Sequence, residues 1–493
     1  MPDLAIREAT IIDGTGAPRV TGDVEVTDGR ISAVGSAGPA PREIDGRGLV
    51  LCPGFVDTHT HDDGALLAHP GMEFKLAQGC TSLVIGNCGF SAVPNVPGAG
   101  GRGAAGGLIG QAGDDFTDLV GYRDAVQSRH PAVNYITLIG HNTMRAAAVG
   151  DERRAPSDRE LEQMKKWVAD AMAHGACGLS TGLIYHPGRY SSTEEIVALA
   201  EEVAPYGGIY ATHMRNEGDR LLEAVDEALR IGREAGVALH ISHHKSAGRQ
   251  NWGRVGESLA KVDAANAAGA DVTLDVYPYT AGSGRMIEYF NLERIRLDLA
   301  EVIRLASCPA FPAYEGRMLV DIAEEEGVEL EELVRRILTA AKGDRTICIH
   351  FTIDEADVET NLRHPLMMIG SDGIPDLRGQ PHPRLFGTMP RVLGTYVRER
   401  GIIELEEAIR RMTSLSCDRF GLVDRGRVAE GAWADLVLFD PVTIRDTATY
   451  DEPKQEPEGI ACVIVNGQIA IEEGAHTGAG AGRMLHYRGT PTL

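Results

Sequence analysis

The chain has 493 residues, enough for a large core and for more than one domain, and its 43% hydrophobic and 24% charged content fits a soluble globular protein. A net charge of −23 argues against a nucleic-acid partner, which needs a basic face, while leaving small-molecule substrates open. No run approaches the ~20 apolar residues of a membrane span, and the 59 glycines point to many tight strand–helix connections.

Residues 1–52 read as short strands. Leu4–Arg7 and Ala9–Ile12 lead to a turn at Asp13-Gly14. Val24–Val26 and Arg30–Val34 flank Asp28-Gly29, a type I′ hairpin signal. The N-terminus alternates like a strand and lacks the basic start and apolar core of a signal peptide. The eight cysteines are thinly spread and none forms a Cys-x-x-Cys pair, so they read as reduced, mostly buried thiols. The expected location is the cytoplasm.

Next comes Pro53-Gly54-Phe55-Val56-Asp57-Thr58-His59-Thr60-His61. Side chains alternate along a strand, so His59 and His61 leave its end in the same direction. Two imidazoles aimed at one point suggest a bound metal, although an isolated His-x-His is more often two loop histidines.

From 53 to about 415 strands alternate with helices. The expected strands are Phe55–His61, Thr81–Cys88, Tyr135–Gly140, Gly178–Thr181, Ile209–His213, Ala238–His243, Val272–Tyr277, Ile347–Phe351 and Met367–Asp372. Ser157-x-x-Glu160 is a capping box ahead of Leu161, Met164, Val168 and Met172, with Gly175 as the stop. Ser192-x-x-Glu195 opens a second helix, and Asp219 is placed to cap a third over Leu222, Val225 and Leu229. Repeated strand–helix units imply parallel strands with right-handed crossovers, and eight of them make a (β/α)8 barrel. Nine candidates leave one surplus, and Ile347–Phe351 belongs either to the barrel or to an inserted helical subdomain at 285–346. A doubly wound open sheet is the competing architecture. Pro97–Gly110 contains a literal G-x-G-x-x-G, but it opens no helix and lacks the Lys-Ser/Thr ending, so it reads as a loop near the site. After 415 the texture returns to strands, with Ala434–Phe439 and a hairpin around Asn466-Gly467. The expected division is a small β domain from 1–52 and 416–493, with a barrel domain at 53–415 between its halves.

Barrel strands deliver active-site residues at their C-terminal ends. Those ends carry His59, His61, Cys88, His213, His243 and Asp372. Taken singly, each has a bland reading: Cys88 as a buried thiol, Asp372 before Gly373 as a turn former, His213 as a helix start. Their joint occurrence at strand ends points to one site. Thiolate and imidazole together suit zinc, whereas magnesium sites are carboxylate-rich. His240 and His244 lie beside His243, and spacing alone leaves the choice among them open. His141 reads as a satisfied buried histidine. Three protein ligands with an open position suit hydrolysis at a carbonyl-like carbon, with Asp372 as the proton carrier.

The first motif, the later strand-end histidines and the late Gly370-Ser371-Asp372-Gly373 resemble the amidohydrolase superfamily. Finer signatures resemble its N-acyl-D-amino-acid deacylase (D-aminoacylase) branch: Gly86-Asn87-Cys88-Gly89, Ala211-Thr212-His213-Met214-Arg215-Asn216-Glu217, Ile241-Ser242-His243-His244-Lys245, Tyr277-Pro278-Tyr279-Thr280-Ala281-Gly282-Ser283, Arg384-Leu385-Phe386-Gly387-Thr388 and the tail Gly474–Arg483. The resemblance covers essentially the whole chain. It implies a distorted (β/α)8 TIM barrel with a small β-sandwich domain from both termini. It further implies a tight zinc on Cys88, His213 and His243, and a weaker second position near His59, His61 and Asp372 with Cys88 able to bridge. The same resemblance selects His243 over its neighbours. It nominates Lys245, Tyr185, Tyr277 and Ser283 as substrate contacts, with Lys245 on the α-carboxylate. The fourth strand has no lysine to be carboxylated, which counts against a hydantoinase or dihydroorotase. The implied activity is zinc-dependent hydrolysis of an N-acyl-D-amino acid, the D-handedness coming from the resemblance only. The alternatives are another hydrolase of the superfamily, such as a deaminase using Glu217 or a cyclic amidase, and a non-catalytic binding or assembly protein. Oligomeric state and the preferred side chain and acyl group are not legible.

Overall fold

The structure is a computed structural model and describes residues 2–96, 116–290, 292 and 295–488. The glycine-rich stretch 97–110 lies outside the described residues. Eight parallel strands form the central sheet: Phe55–Asp57, Cys80–Ile85, Asn134–Gly140, Gly178–Gly182, Ile209–His213, Ala238–Ile241, Val272–Val276 and Met367–Ile369. They follow one another in chain order around the sheet. Where the first and eighth strands meet, the Thr58 amide lies 3.4 Å from the Ile369 carbonyl oxygen, and Thr60 bridges Gly373 in parallel. The sheet is therefore a nearly closed barrel and not an open doubly wound sheet.

Alternation along these strands builds two cores. Val56, Val84, Ile136, Leu138, Ile209, Ala211 and Met368 pack together, and Leu415, Cys417, Phe420 and Leu422 join the same cluster. Their neighbours Leu83, Ile85, Ile139, Leu179, Tyr210 and Leu239 belong to the larger cluster shared with the helices. Each such side chain, fully buried, stabilises the fold by roughly 1.5–3 kcal/mol against exposure. These side chains hold the strand ends rigid, and the site is built on those ends.

The helix Asp158–Ala173 has the expected capping box, with the Ser157 side chain on the Glu160 amide and the Glu160 carboxylate on the Ser157 amide. Ser192 caps Thr193–Ala200 through the Glu195 amide. The third expected cap is corrected. Leu221–Ala235 starts after Arg220 with no side-chain cap, because the Asp219 carboxylate accepts from the side-chain amides of Gln250 and Asn251. Its fully buried face is accordingly Leu221, Ala224, Val225, Ala228 and Ile231, with Leu222 and Leu229 at the margin.

Ile347–His350 is not a barrel strand. It is the centre of a three-stranded antiparallel sheet between Gly282–Arg285 and Ile303–Ser307. Leu305, Ile322, Leu333, Val334 and Ile337 give this segment a core of its own. The helices Leu319–Glu326 and Leu330–Thr339 of this segment are separated at Gly327. Gly327 sits at φ 65, a left-handed stop that glycine adopts without a Cβ clash.

A nine-stranded sheet draws on both chain ends. Val50–Pro53 pairs antiparallel with Leu436–Phe439 and joins the N-terminal strands to the C-terminal ones. The two strands read before Asp13 are one, Leu4–Ile11, whose register shifts between Ile6 and Ala9 where Glu8 has φ 52. Among the described residues no helix is long and apolar enough to cross a membrane.

Candidate metal centre

The six expected ligand-type residues converge at the C-terminal mouth of the barrel. His59 and His61 follow the first strand, Cys88 the second and His243 the sixth; His213 ends the fifth, and Asp372 follows the eighth. All six are buried. Their donor atoms form two groups that share Cys88: His59, His61, Cys88 and Asp372, and Cys88, His213 and His243, each within 4.8 Å of one another. Cys88 Sγ lies 3.2 Å from His59 Nε2, 3.3 Å from His243 Nε2 and 3.8 Å from His213 Nδ1. His61 Nε2 lies 3.1 Å from Asp372 Oδ1, and His59 Nε2 3.6 Å from the same oxygen.

The backbone is bent to make this possible. Cys88, His243 and Asp372 have φ values of 54, 35 and 49, in the left-handed region that non-glycine residues rarely adopt. Such strain costs about 1–3 kcal/mol per residue and persists only where the surroundings enforce it. Around Cys88 the enforcement is visible. A Cβ on Gly86 would sit 2.1 Å from the Leu138 carbonyl oxygen, and one on Gly182 would sit 2.1 Å from the Cys88 carbonyl oxygen. Glycines let neighbouring strands close on the Cys88 turn, while Ser180 Oγ accepts from the Gly89 amide and donates to the Gly86 carbonyl.

The donor set fits a zinc ion. Tetrahedral zinc with ordinary bond lengths places a thiolate sulfur about 3.6 Å from an imidazole nitrogen. The distances from Cys88 Sγ to His243 and His213, 3.3 and 3.8 Å, bracket that value. The protonation balance agrees. Burial pushes the Cys88 thiol up, but the facing His59 and His243 outweigh it and hold the thiol well below its ordinary value. Burial likewise opposes ionisation of Asp372, and the Arg384 guanidinium with His61 overcomes it, so the carboxylate stays charged.

Outer partners aim the rings. His59 Nδ1 is 3.3 Å from Asp275 Oδ2, and the other oxygen of Asp275 accepts from the His243 amide at 2.8 Å. Glu217 stands behind the other two histidines, 3.0 Å from His243 Nδ1 and 3.5 Å from His213 Nε2. A carboxylate on the far nitrogen fixes which ring nitrogen faces the metal position. Below the mouth, the fully buried Lys75 ammonium reaches Asp57 at 2.7 Å, Asp62 at 3.1 Å and Ser371 Oγ at 2.9 Å. Asp57 in turn accepts the Ser371 amide, so this network sets the turn that carries Asp372.

The neighbouring histidines are spent elsewhere. His240 bonds Thr273 and Asp275, His244 bonds Asn361 and Ser258, and His141 pairs with Glu195. Of the three adjacent candidates only His243 faces Cys88. The four expected substrate residues lie around the same mouth. The Tyr185 ring centroid is 4.5 Å from that of His213, and Lys245 stands 5.6 Å over the Tyr277 ring. Ser283 leads through its carbonyl oxygen to Arg384 at 3.4 Å. Lys245 Nζ is engaged by Glu217 at 2.6 Å, the His243 carbonyl at 2.8 Å and His243 Nδ1 at 2.9 Å. Sequence reasoning gave no role to Asp275, Lys75 or Arg384 and kept Glu217 only as a rival proton shuttle. A charged residue inside the buried strand Val272–Val276 was the available signal for Asp275; Lys75 had none, because its helix is a single turn.

Comparison with known proteins follows the same lines. The amidohydrolase family model matches residues 42–471. An N-acyl-D-glutamate deacylase of Alcaligenes xylosoxydans xylosoxydans is 42% identical over 94% of this chain and 93% of its own length. A D-aminoacylase of the same organism is 42% identical over 98% and 97%. The crystal structure of N-acyl-D-glutamate deacylase from Bordetella bronchiseptica, complexed with zinc and a phosphonate mimic of the tetrahedral intermediate, superposes with a TM-score of 0.92. It is 40% identical, covering 98% of this chain and 99% of that one.

Proposed function

This chain belongs to the amidohydrolase family, and we propose that it is a zinc-dependent deacylase that hydrolyses N-acyl-D-amino acids to a carboxylate and a free D-amino acid. The observation that carries this reading is the pair of buried ligand groups sharing Cys88 at the barrel mouth, with a charged carboxylate, Asp372, on the second group. The names of the relatives supply the substrate class. Cys88, His213 and His243 would hold the tight ion, and His59, His61 and Asp372, with Cys88 shared, would form a weaker second position. Zinc bound there would polarise the acyl carbonyl and acidify a water.

The chain's own residues do the rest. Asp372 takes the proton from the attacking water and returns it to the leaving nitrogen as the C–N bond breaks. His61 and Arg384 keep that carboxyl ionised at the start of the cycle. Tyr185, Tyr277, Ser283 and Lys245 orient the substrate, and Lys245 would leave part of its contact with Glu217 to meet the α-carboxylate. A deaminase shuttle on Glu217 is disfavoured, because that carboxylate already serves His213, His243 and Lys245. We also place the protein in the cytoplasm, since its eight cysteines are free and buried, as a reducing compartment keeps them. The division into an end domain, 1–52 with 416–493, and a barrel domain at 53–415 is supported by their separate sheets, and the sheet of the insertion proposed at 285–346 extends from Gly282 to His350. The test of the function is stoichiometry. N-acetyl-D-methionine should yield acetate and free amine in equal amounts with no ammonia. Ammonia, or amine without acetate, would sink the reading.

A further inference from the structure

Asn142 joins the ends of the second and fourth barrel strands. It follows the third strand, Asn134–Gly140, and is fully buried in the first turn of the helix His141–Ala148. Its carboxamide Nδ2 donates to the Gly182 carbonyl at 3.0 Å, and Oδ1 accepts from the Gly182 amide at 3.3 Å. The side chain thus pairs with the fourth strand as a peptide unit of another strand would. Backbone closes on it from two more sides. A Cβ on Gly89 would sit 2.3 Å from Asn142 Oδ1, and one on Gly188 would sit 2.5 Å from the same atom. The next residue, Thr143, donates its amide to the Gly89 carbonyl at 3.1 Å. These three glycines flank parts of the site. Gly89 follows Cys88, the ligand shared by both groups. Gly182 precedes Leu183, whose amide donates to the His213 carbonyl at 3.0 Å. Gly182 and Gly188 bound the loop of Tyr185, whose ring centroid lies 4.5 Å from that of His213 and 5.7 Å from that of Phe90, two residues after Cys88. One carboxamide is therefore packed against the Cys88 turn and both ends of the Tyr185 loop. A satisfied polar group in a close-packed interior holds such neighbours to a single arrangement.

We propose that Asn142 is a positioning residue that locks the Tyr185 loop to the Cys88 turn, so that a metal held by Cys88 and His213 orders the loop. The use of that loop for substrate rests on the deacylase reading above; the coupling of metal to loop does not. Asn266 supplies an internal comparison. Its Nδ2 donates to the Val272 carbonyl at 3.0 Å and its Oδ1 accepts from the Val272 amide at 2.9 Å, the same pair of bonds. Val272 starts the seventh strand, at the end of the barrel opposite the metal ligands.

The test measures hydrogen exchange over Leu183–Tyr190, with and without zinc, in wild type, N142A and N266A. Zinc content is measured alongside. Zinc should slow exchange of this segment about 10-fold or more in wild type and in N266A. In N142A the ion should still bind, and the slowing should shrink to within about twofold. With cobalt(II) in place of zinc, the thiolate-to-metal absorption should shift in N142A and not in N266A, reporting the released Cys88 turn. Turnover of N-acetyl-D-methionine by N142A should fall roughly 10- to 100-fold in kcat/KM, as expected when a reacting geometry is loosened. Exchange decides. Wild-type slowing in N142A overturns the proposal whatever its activity, and loss of the slowing in N266A as well reduces Asn142 to general support and overturns it too. A folded N142A that takes up no zinc, beside a loaded N266A, shows the same coupling from the metal side and supports it. If N142A does not fold, N142S takes its place, and a wild type in which zinc leaves the segment unchanged overturns the proposal with no variant. Exchange and cobalt absorption need no substrate. A wild type that releases no amine would sink the deacylase reading and leave this test intact.

Discussion

Cys88 is the residue on which two ligand groups meet, and Asp372 is the residue to which we assign proton transfer. The roles separate by substitution. D372N should keep the tight zinc, whose ligands it leaves intact, and lose about 10²–10⁴-fold in kcat, as expected for a removed general base. Metal analysis beside steady-state kinetics reads both at once, and near-normal turnover would contradict the assignment. C88A removes the shared sulfur, so zinc per chain should fall toward none together with activity. Retention of a full ion would instead place the tight site elsewhere. At this scale the ligand residues were legible because each closes an apolar strand. The choice among His240, His243 and His244 was not legible from spacing and came only with the family motif, since it depends on which face the strand end turns outward. The structure settles the direction: His243 has φ 35 and faces Cys88, while its neighbours are bonded into the barrel wall. Lys75 escaped because its single-turn helix leaves no local pattern to mark it, and Arg384 stood in a recognised motif that assigned no role to the arginine.

Individual elements follow local chemistry where the local chemistry is uncontested. The Ser157 box closes as its sequence demands, and the S157A variant should lose about 1 kcal/mol locally. Hydrogen exchange in the first turn of Asp158–Ala173 should then quicken about fivefold, and an unchanged rate would mean the cap is idle. Asp219 shows the opposite case, a good capping residue drawn off by the side-chain amides of Gln250 and Asn251 from the next unit. The surplus ninth strand has the same lesson. Ile347–His350 has the apolar run of a barrel strand, but its partners are antiparallel strands of the insertion, and pairing is not written in a single run. The seam between the first and eighth strands rests on Lys75, whose ammonium is enclosed by Asp57, Asp62 and Ser371. K75M strands these carboxylates in the interior, and removing one partner of such a buried group typically costs about 3–5 kcal/mol. Thermal unfolding should shift down clearly, with kcat falling further than zinc affinity because the Asp372 turn loses its anchor. A K75M protein as stable and active as wild type would show that the seam does not depend on this network.

For the whole molecule, the barrel, the sheet from both chain ends and the inserted sheet leave, among the described residues, a buried cluster of possible metal ligands at the barrel mouth. A ligand that binds only the folded state stabilises it, so chelation should lower the unfolding temperature and zinc should restore it. One ion per chain should survive dialysis, with a second taken up only at higher zinc. Handedness belongs to this scale, because it depends on how the whole barrel mouth encloses a substrate, and nothing in residue spacing encodes it. The most direct measurement is a panel of N-acetyl D- and L-amino acids assayed for free amine with the zinc-loaded enzyme. Release from D substrates with little or none from their L counterparts is the predicted result; release from L forms only, or from none, would contradict the account.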